Sequence, residues 1–266
     1  MVKRILFIFI LLISSFSFSQ LSKNHYIPPI SSGPSNADPL DQLMYISTPN
    51  QGDVNFTINI VGGNSISGTV SNATPYVYGI ADSGYSSFVQ DPATTSRVTS
   101  DKGYIINADS PIYVSVRLNA GNNAQAGALV SKGENALGTT FRIGTYDNQG
   151  SPGSNYLNFF SFMATEDNTT VNLTNERVTS GLQIQNAGAQ QFPINNISLN
   201  RGQTYVVAVK PEDTNENRAG LIGTLVSSDK PIVVNSGSAN GSFGNGGARD
   251  YGIDQIVELS KVGKEY

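Results

Sequence analysis

Hydrophobic and polar residues alternate along the chain in short runs. From about residue 43 onward, runs such as VNFTINIVGG, PIYVSVRL and TYVVAVK place β-branched or aromatic residues at alternating positions, and Gly, Asn, Asp or Pro separates one run from the next. A period of two is that of a strand with one buried face, and the separating residues favour turns. Helical spacing is absent apart from a turn near residues 254–259. The pattern predicts an all-β protein built from many short strands.

One stretch of this pattern occurs twice. Residues 103–117 (GYIINADSPIYVSVR) and 223–237 (GTLVSSDKPIVVNSG) align without a gap as G-x-[LI]-[VI]-x-[SA]-D-x-P-I-x-V. In the second copy Asp229 can cap a turn, and Pro231 lacks the N–H that a strand interior needs. The D-x-P-I element therefore predicts a hairpin corner between two strands. We interpret it as architecture and not as an active site.

A second repeated element gives the size of the duplicated unit. VNFT at residues 54–57 returns as VNLT at residues 171–174, with about the same spacing of 120 residues. A module of that size holds about eight short strands, which is typical of a β-sandwich, whereas blades of a β-propeller are the alternative. We predict two tandem antiparallel sandwich-like modules, at residues 42–155 and 156–266.

The start of the chain has the composition of an export signal. Residues 1–19 combine a basic MVKR, the apolar run ILFIFILLISSFSF and a small-x-small cleavage site. The apolar run is short for a membrane span and no later segment replaces it, so no transmembrane segment is expected after cleavage. Residues 20–41 are rich in Pro, Ser and Asn and are predicted to form an extended leader. That assignment places His25 ahead of the first strand.

Composition narrows the classes of partner and the compartment. The formal net charge is −4, so the protein offers no basic surface and nucleic acid is not expected as a partner. Cysteine is absent. Secreted animal domains usually carry disulfides, so this absence favours a bacterial outer surface or periplasm and a core that is stable without cross-links.

The repeated D-x-P-I element resembles one in the N-terminal domain of IgG-Fc-binding proteins. Residues 254–266 (DQIVELSKVGKEY) and 128–147 (ALVSKGENALGTTFRIGTYD) are similar to further segments of the same family. The resemblance spans about residues 44–266. It implies a β domain with an extracellular binding role, as in a mucus-associated Fc-binding protein and in surface proteins of gliding or gut bacteria. The lack of cysteine fits the bacterial branch, and antibody binding belongs to particular members only.

Few residues suit catalysis or metal binding. His25 is the only histidine, and its predicted place in the leader argues against nucleophile–imidazole hydrolysis and against His/Cys zinc sites. Residues 213–217 alternate oxygen ligands as a calcium loop does, but Arg218 and Thr224 stand where an EF-hand needs Gly and Glu. The sequence therefore predicts no enzyme, no cofactor and no metal site, with a looser calcium-binding turn at residues 213–217 as the alternative to a plain solvated turn.

The Gly-rich stretch at residues 237–252 (GSANGSFGNGGARDYG) is the most unusual local sequence. It lacks the G-x-x-x-x-G-K-[ST] motif of a phosphate-binding loop. A flexible connection is one interpretation. The other is a recognition loop, because aromatic and Arg side chains among glycines resemble adaptable binding loops. The candidate ligand-binding residues are Phe243, Arg249, Asp250 and Tyr251.

These observations predict an exported, cell-surface binding or adhesion module for an extracellular glycoprotein, polysaccharide or other protein ligand. The alternatives are a structural spacer in a surface protein and a secreted carbohydrate-active enzyme that uses two carboxylates. The pattern also stops inside a repeated segment at Tyr266. We therefore expect the natural protein to continue, and the second module to have fewer strands than the first.

Overall fold

The fold was analysed in a computed structural model, and nearly all of its regular structure is β. Besides strands, the described residues form three short 3-10 helices and a helical turn at residues 218–219. The structure describes the following ranges: 20–32, 39–120, 125–146, 157–176, 182–189, 192–210, 218–241 and 250–262.

The first sheet has seven strands in the order β5-β4-β9-β3-β6, with β1 and β10 also paired to β9. All pairs in it are antiparallel. Its strands are β1 (Ser22–Ile27), β3 (Pro39–Ser47), β4 (Val54–Ile60), β5 (Ser65–Val70), β6 (Tyr76–Ser83), β9 (Tyr104–Ala120) and β10 (Gln125–Val130). Between β1 and β10 lie the short strands β2 (Ile30–Ser31), β7 (Val89–Gln90) and β8 (Val98–Thr99), and the helix η1 (Pro92–Thr94).

The second sheet has eight strands in the order β16-β13-β18-β12-β17-β8, with β11 and β19 also paired to β18. Its strands after β8 are β11 (Gly138–Arg142), β12 (Asn158–Ala164), β13 (Thr169–Thr174), β16 (Ile194–Leu199), β17 (Thr204–Ala208), β18 (Leu225–Gly241) and β19 (Asp250–Ile256). The remaining elements are the small hairpin β14 (Gln183–Ile184) with β15 (Gly188–Ala189), and the helices η2 (Gly133–Ala136) and η3 (Leu259–Lys261).

Each sheet is organised by one strand of 17 residues that serves two layers. The first part of β9 pairs with β1 and β4, and its second part pairs with β3 and β10. In the same way, β18 pairs first with β11 and β13 and then with β12 and β19. The two sheets therefore repeat one connectivity, in which a long strand crosses from one layer of a sandwich to the other. The predicted all-β, duplicated, sandwich-like fold is confirmed.

The predicted hairpin corner is wrong. Asp229 and Pro231 lie in the middle of β18, and Asp109 and Pro111 lie in the middle of β9. The chain does not reverse there; it changes partners. Residues 109–111 have no partner on β4, so a proline without an N–H costs no ladder hydrogen bond at this point. The prediction failed because a turn and a change of pairing partner both provide a position without a ladder hydrogen bond, and proline is tolerated at either.

Side chains fix both crossing points in equivalent ways. The Thr48 hydroxyl donates to the Pro111 carbonyl at 3.0 Å, and the Thr165 hydroxyl donates to the Pro231 carbonyl at 2.6 Å. These carbonyls belong to the proline that each copy of the repeated element contains. The sequence repeat is therefore a repeat of contacts as well as of strands, and its reading as architecture agrees with the structure.

The two sheets share one packed interior. The first core consists mainly of residues from the first sheet, such as Met44, Ile58 and Val116. It also contains buried residues of the second half of the chain: Leu157, Phe159, Ala208, Ala239 and Tyr251. All seven residues of β12 are buried, and Phe160 and Phe162 belong to the second core. Thus β12 lies between the two cores with apolar residues on both faces.

The predicted leader at residues 20–41 is instead part of the fold. Strand β1 pairs with β9, and β2 pairs with β7 in parallel. The Asn235 amide donates to the carbonyl of Pro28 at 2.8 Å, so this segment also contacts the second sheet. Polar residues hid the strand in the sequence, because His25 and Ser22 are among its buried positions.

Other boundary predictions have different outcomes. Strand β11 lies in the second sheet, although the predicted first module extended to residue 155. The expectation of fewer strands in the second module stays a prediction, because the eight strands of the second sheet include β8 and β11, which lie within residues 42–155 of the predicted first module. The predicted signal peptide and Tyr266 both lie outside the described residues. The continuation of the chain past Tyr266 stays a prediction.

Candidate functional site

A groove of about 420 Å³ opens on the second sheet. Strands β18 and β19 form its floor, and the segment that follows β11 forms one wall. The groove is lined by Gly144, Thr145, Tyr146, Ser236, Gly237, Gly252, Ile253, Asp254 and Ile256. The Ser236 hydroxyl donates to the Gly144 carbonyl at 2.6 Å and so ties the wall to the floor.

Glycines create the space that the Tyr146 ring occupies. A methyl group at Gly252 would overlap the Tyr146 hydroxyl, and one at Gly241 would overlap the ring edge. At Gly237 a methyl group would overlap the backbone carbonyl of Gly252. The Gly-rich composition of this part of the chain therefore has a packing reason. It lets an aromatic ring lie directly on the backbone of two neighbouring strands.

Charge is concentrated at one rim of the groove. The Asp254 carboxylate accepts from Lys132 Nζ at 2.8 Å in an ion pair that joins the two halves of the chain. Burial raises the pKa of Tyr146, and the nearby carboxylate of Asp250 raises it further. The Tyr146 hydroxyl therefore stays protonated at neutral pH. An apolar floor with an aromatic ring and a carboxylate beside it suits binding of an uncharged group.

The predicted recognition residues do not all reach this groove. Phe243 and Arg249 lie outside the described residues. Asp250 is exposed at the start of β19, where its carboxylate accepts from the backbone N–H of Ala126 at 3.0 Å. Tyr251 is only 4% exposed and belongs to the first core, so its side chain is not available to a ligand. Its assignment as a recognition residue is wrong, because β19 directs alternate side chains to opposite faces and the Tyr251 ring lies on the face toward the first core.

A buried polar network, not predicted from the sequence, lies beside the groove between the two halves. His25 Nδ1 lies 2.9 Å from Ser131 Oγ, and its Nε2 lies 3.0 Å from the Ile112 carbonyl and 3.1 Å from that of Ser22. Ser131 Oγ also lies 3.1 Å from Gln255 Oε1. Two carbonyl acceptors at Nε2 fix the proton on that nitrogen in the neutral ring.

Gln255 completes the network from the second sheet. Its amide donates to the Tyr26 carbonyl at 2.8 Å, and its Oε1 accepts from the backbone N–H of Lys132 at 2.7 Å. The network thus joins β1, β19 and the segment after β10. Burial lowers the pKa of His25, although its carbonyl partners act in the opposite direction. The only sequence signal for this network was the single histidine.

His25 and Ser131 together provide the imidazole and hydroxyl groups that nucleophile–imidazole hydrolysis uses. The prediction that His25 lies in a leader ahead of the first strand is wrong, because His25 belongs to β1. However, His25 is 0% exposed and Ser131 is 1% exposed, so no substrate carbonyl can approach the hydroxyl. The pair is a structural contact between β1 and the segment after β10.

Comparison with known proteins gives the family. The family model described as IgGFc binding protein matches residues 126–266, which is more than half of the chain. The chain belongs to the IgGFc binding protein family. The match includes the whole groove and Gln255. Curated proteins give no match.

Among solved structures, this family member is similar to the N-terminal CBM22-1-CBM22-2 tandem domain of Xyn10C from Paenibacillus barcinonensis. The identity is 11% and the TM-score is 0.16, over 75% of this chain and 77% of the other. A TM-score of this size does not establish a shared fold. Within the described ranges, no group of three or more His, Asp or Glu side chains could hold a metal ion. None of the helical segments described has the length and apolarity that a membrane crossing requires.

Proposed function

We propose that this family member is an exported binding module that recognises an extracellular glycoprotein, with the Tyr146 groove as its binding site. The observation that carries the proposal is the groove itself: an aromatic ring seated on a glycine floor, with apolar and carboxylate groups beside it. Concave sites that combine an apolar floor with a few polar groups are typical of ligand binding. The family's name supports a protein that binds a glycoprotein.

Export and a bacterial outer surface are part of the proposal. The sequence pattern of residues 1–19 supports export. The described part of the chain has two packed cores and no disulfide, which supports a fold that does without cross-links. We also propose that the protein is not an enzyme, since its one Ser–His pair is enclosed in the interior. A structural spacer would leave the groove without a ligand, and that difference can be measured.

The test is binding to immobilised glycoproteins, measured by biolayer interferometry with mucin and with IgG. The variant Tyr146→Ala removes the aromatic wall, and Asp82→Asn on the exposed end of β6 serves as the control. We expect wild type and the control to bind at least one of the two glycoproteins, and Tyr146→Ala to bind about tenfold or more weakly. Equal binding by all three proteins, or no binding by wild type, would refute the proposed site.

A further inference from the structure

The outer face of β4 and β5 on the first sheet is polar at every outward position. Strand β4 presents Asn55, Thr57 and Asn59, and strand β5 presents Ser65, Ser67 and Thr69. The register pairs these residues directly across the two strands, as in Thr57 with Ser67. Asn107 and Asp109 extend the same face on β9, where Asn107 pairs with Thr57. The result is a flat array of amides and hydroxyls across three adjacent strands.

Hydrogen bonds run across this array in one direction. The Ser65 hydroxyl donates to Asn59 Oδ1 at 2.8 Å, and Asn59 Nδ2 donates to Asn107 Oδ1 at 3.1 Å. Asn107 Nδ2 then donates to Asn24 Oδ1 at 2.8 Å, and Asn24 Nδ2 donates to the Glu134 carboxylate at 2.6 Å. Each amide is therefore held in one orientation. Groups that are fixed in advance lose little conformational entropy when a ligand binds them.

A second groove, of about 290 Å³, lies on this face. Its lining includes Asn55, Thr57, Ser67, Asn107 and Asp109. A methyl group at Gly68 would overlap the buried ring of Phe56, so this glycine makes room for the ring on the core-facing side of the same strands. The polar residues of the groove are thus residues of the array.

The polar groups of the groove keep unused hydrogen-bonding capacity. Thr57 Oγ1 and Ser67 Oγ lie 3.2 Å apart and share one hydrogen, which leaves one hydroxyl proton for another acceptor. Asn55 Nδ2 donates to Asp109 Oδ2 at 2.8 Å, which leaves Asn55 Oδ1 and Asp109 Oδ1 able to accept. Donors and acceptors therefore alternate over a few ångströms. A ligand that both donates and accepts at each position fits this arrangement.

The residues of β4 and β5 do not suit phosphate-bearing ligands or a protein partner. Strands β4 and β5 contain no Lys or Arg, so phosphate groups find no counter-charge. Phe56 is the only aromatic residue of the two strands and is 2% exposed, so the face lacks the aromatic and Arg anchors of protein interfaces. What fits is a neutral ligand rich in hydroxyl groups, which is the chemistry of a polysaccharide.

The second sheet provides an internal comparison. Phe56 faces Gly68 across β4 and β5, whereas the equivalent Leu173 faces Ile194 across β13 and β16. The second copy therefore has a branched side chain where the first copy has the glycine on which Phe56 packs. The outer positions remain polar there as well, and Ser198 is exposed.

We propose that the outer face of β4, β5 and β9 is a second binding site, distinct from the Tyr146 groove, and that it takes a neutral polysaccharide chain. The two sites lie on different sheets, so one exported protein could hold a polysaccharide and a glycoprotein together. Such simultaneous binding would raise the overall affinity for a surface that carries both.

The test measures binding of three soluble neutral polysaccharides, dextran, galactomannan and mixed-linkage β-glucan, by affinity electrophoresis and calorimetry. The double variant Thr57→Val with Ser67→Ala removes two hydroxyls at little change in shape. We expect wild type to bind at least one polysaccharide and the double variant to bind it about tenfold or more weakly, since each lost hydrogen bond costs about a factor of two to ten. Circular dichroism should show the double variant folded, because both positions are at the surface.

Two further variants separate this proposal from that of the Tyr146 groove. Ser198→Ala makes the matching change on the second sheet and should leave polysaccharide binding unchanged. Tyr146→Ala should also leave it unchanged, even where glycoprotein binding is lost. The proposal is overturned if wild type binds none of the three polysaccharides, if the double variant binds as wild type does, or if Tyr146→Ala abolishes polysaccharide binding.

Discussion

Replacing Tyr251 with Ala should strongly destabilise the protein. Tyr251 is 4% exposed and belongs to the first core, although it lies on β19 of the second sheet. Its ring therefore helps to hold the two halves together. Truncating a buried large aromatic residue to Ala typically costs about 3–5 kcal/mol, from lost burial and from the cavity that remains.

The neighbouring residue gives a matched control. Asp250 is exposed, and its carboxylate accepts a hydrogen bond from the backbone N–H of Ala126. Asp250→Ala should therefore cost about 1 kcal/mol or less in free energy of unfolding. A binding role for both residues, as the sequence pattern suggested, would predict small and similar effects on stability.

The assay is thermal unfolding by calorimetry, with urea unfolding to obtain the free energy. For a chain of this size, 1 kcal/mol corresponds to roughly 2–4 °C in Tm, so Tyr251→Ala should lower Tm by roughly 6–20 °C. Asp250→Ala should lower it by roughly 4 °C or less. A Tyr251→Ala variant within about 2 °C of wild type would refute the shared core.

Three further predictions concern the His25 network and the Tyr146 groove. Burial lowers the pKa of His25, so the unfolded chain binds more protons than the folded protein below about pH 6.5. The contribution of His25 to the free energy of unfolding should therefore be complete above that pH. It should fall as pH drops toward the folded-state pKa, by at most about 1.4 kcal/mol per pH unit. Urea unfolding from pH 5 to 8 checks this, and a His25→Gln variant with the same pH slope would contradict it. Gly237→Ala should lower the free energy of unfolding by about 1–3 kcal/mol, because its methyl group meets the backbone carbonyl of Gly252. Gly252→Ala should mainly displace the Tyr146 side chain and weaken ligand binding. Equal losses of stability in the two variants would refute this difference. Gln255→Leu should cost about 1–3 kcal/mol because it leaves buried polar partners unpaired, and a neutral effect in urea unfolding would contradict that role.

The strands and the duplication could be predicted from the sequence because both depend on local patterns. Period-two alternation identifies a strand wherever one face is apolar, as in VNFTINI. The repeated element identifies equivalent strands without any knowledge of their partners. It could not show that Asp109 and Asp229 lie inside long strands, because partner exchange depends on residues far away in the sequence.

The candidate site was harder to predict, for three physical reasons. Strand β1 buries His25 and Ser22, so its polar sequence was interpreted as an extended leader instead of a strand. Tyr251 stands among glycines and was assigned to a loop, but the second sheet directs its ring into the first core. The groove itself joins Tyr146 to Gly252 across about a hundred residues of chain, and no local pattern reports such a contact.

The central claim is that ligands bind in the Tyr146 groove. Hydrogen–deuterium exchange with and without saturating glycoprotein, read by mass spectrometry, tests it most directly. We predict slower exchange in peptides that cover residues 143–146 and 252–256, and no change in peptides that cover β6, which lies on the other sheet. Unchanged exchange at residues 143–146 and 252–256, under conditions where binding is measured independently, would contradict the assignment of this groove as the binding site.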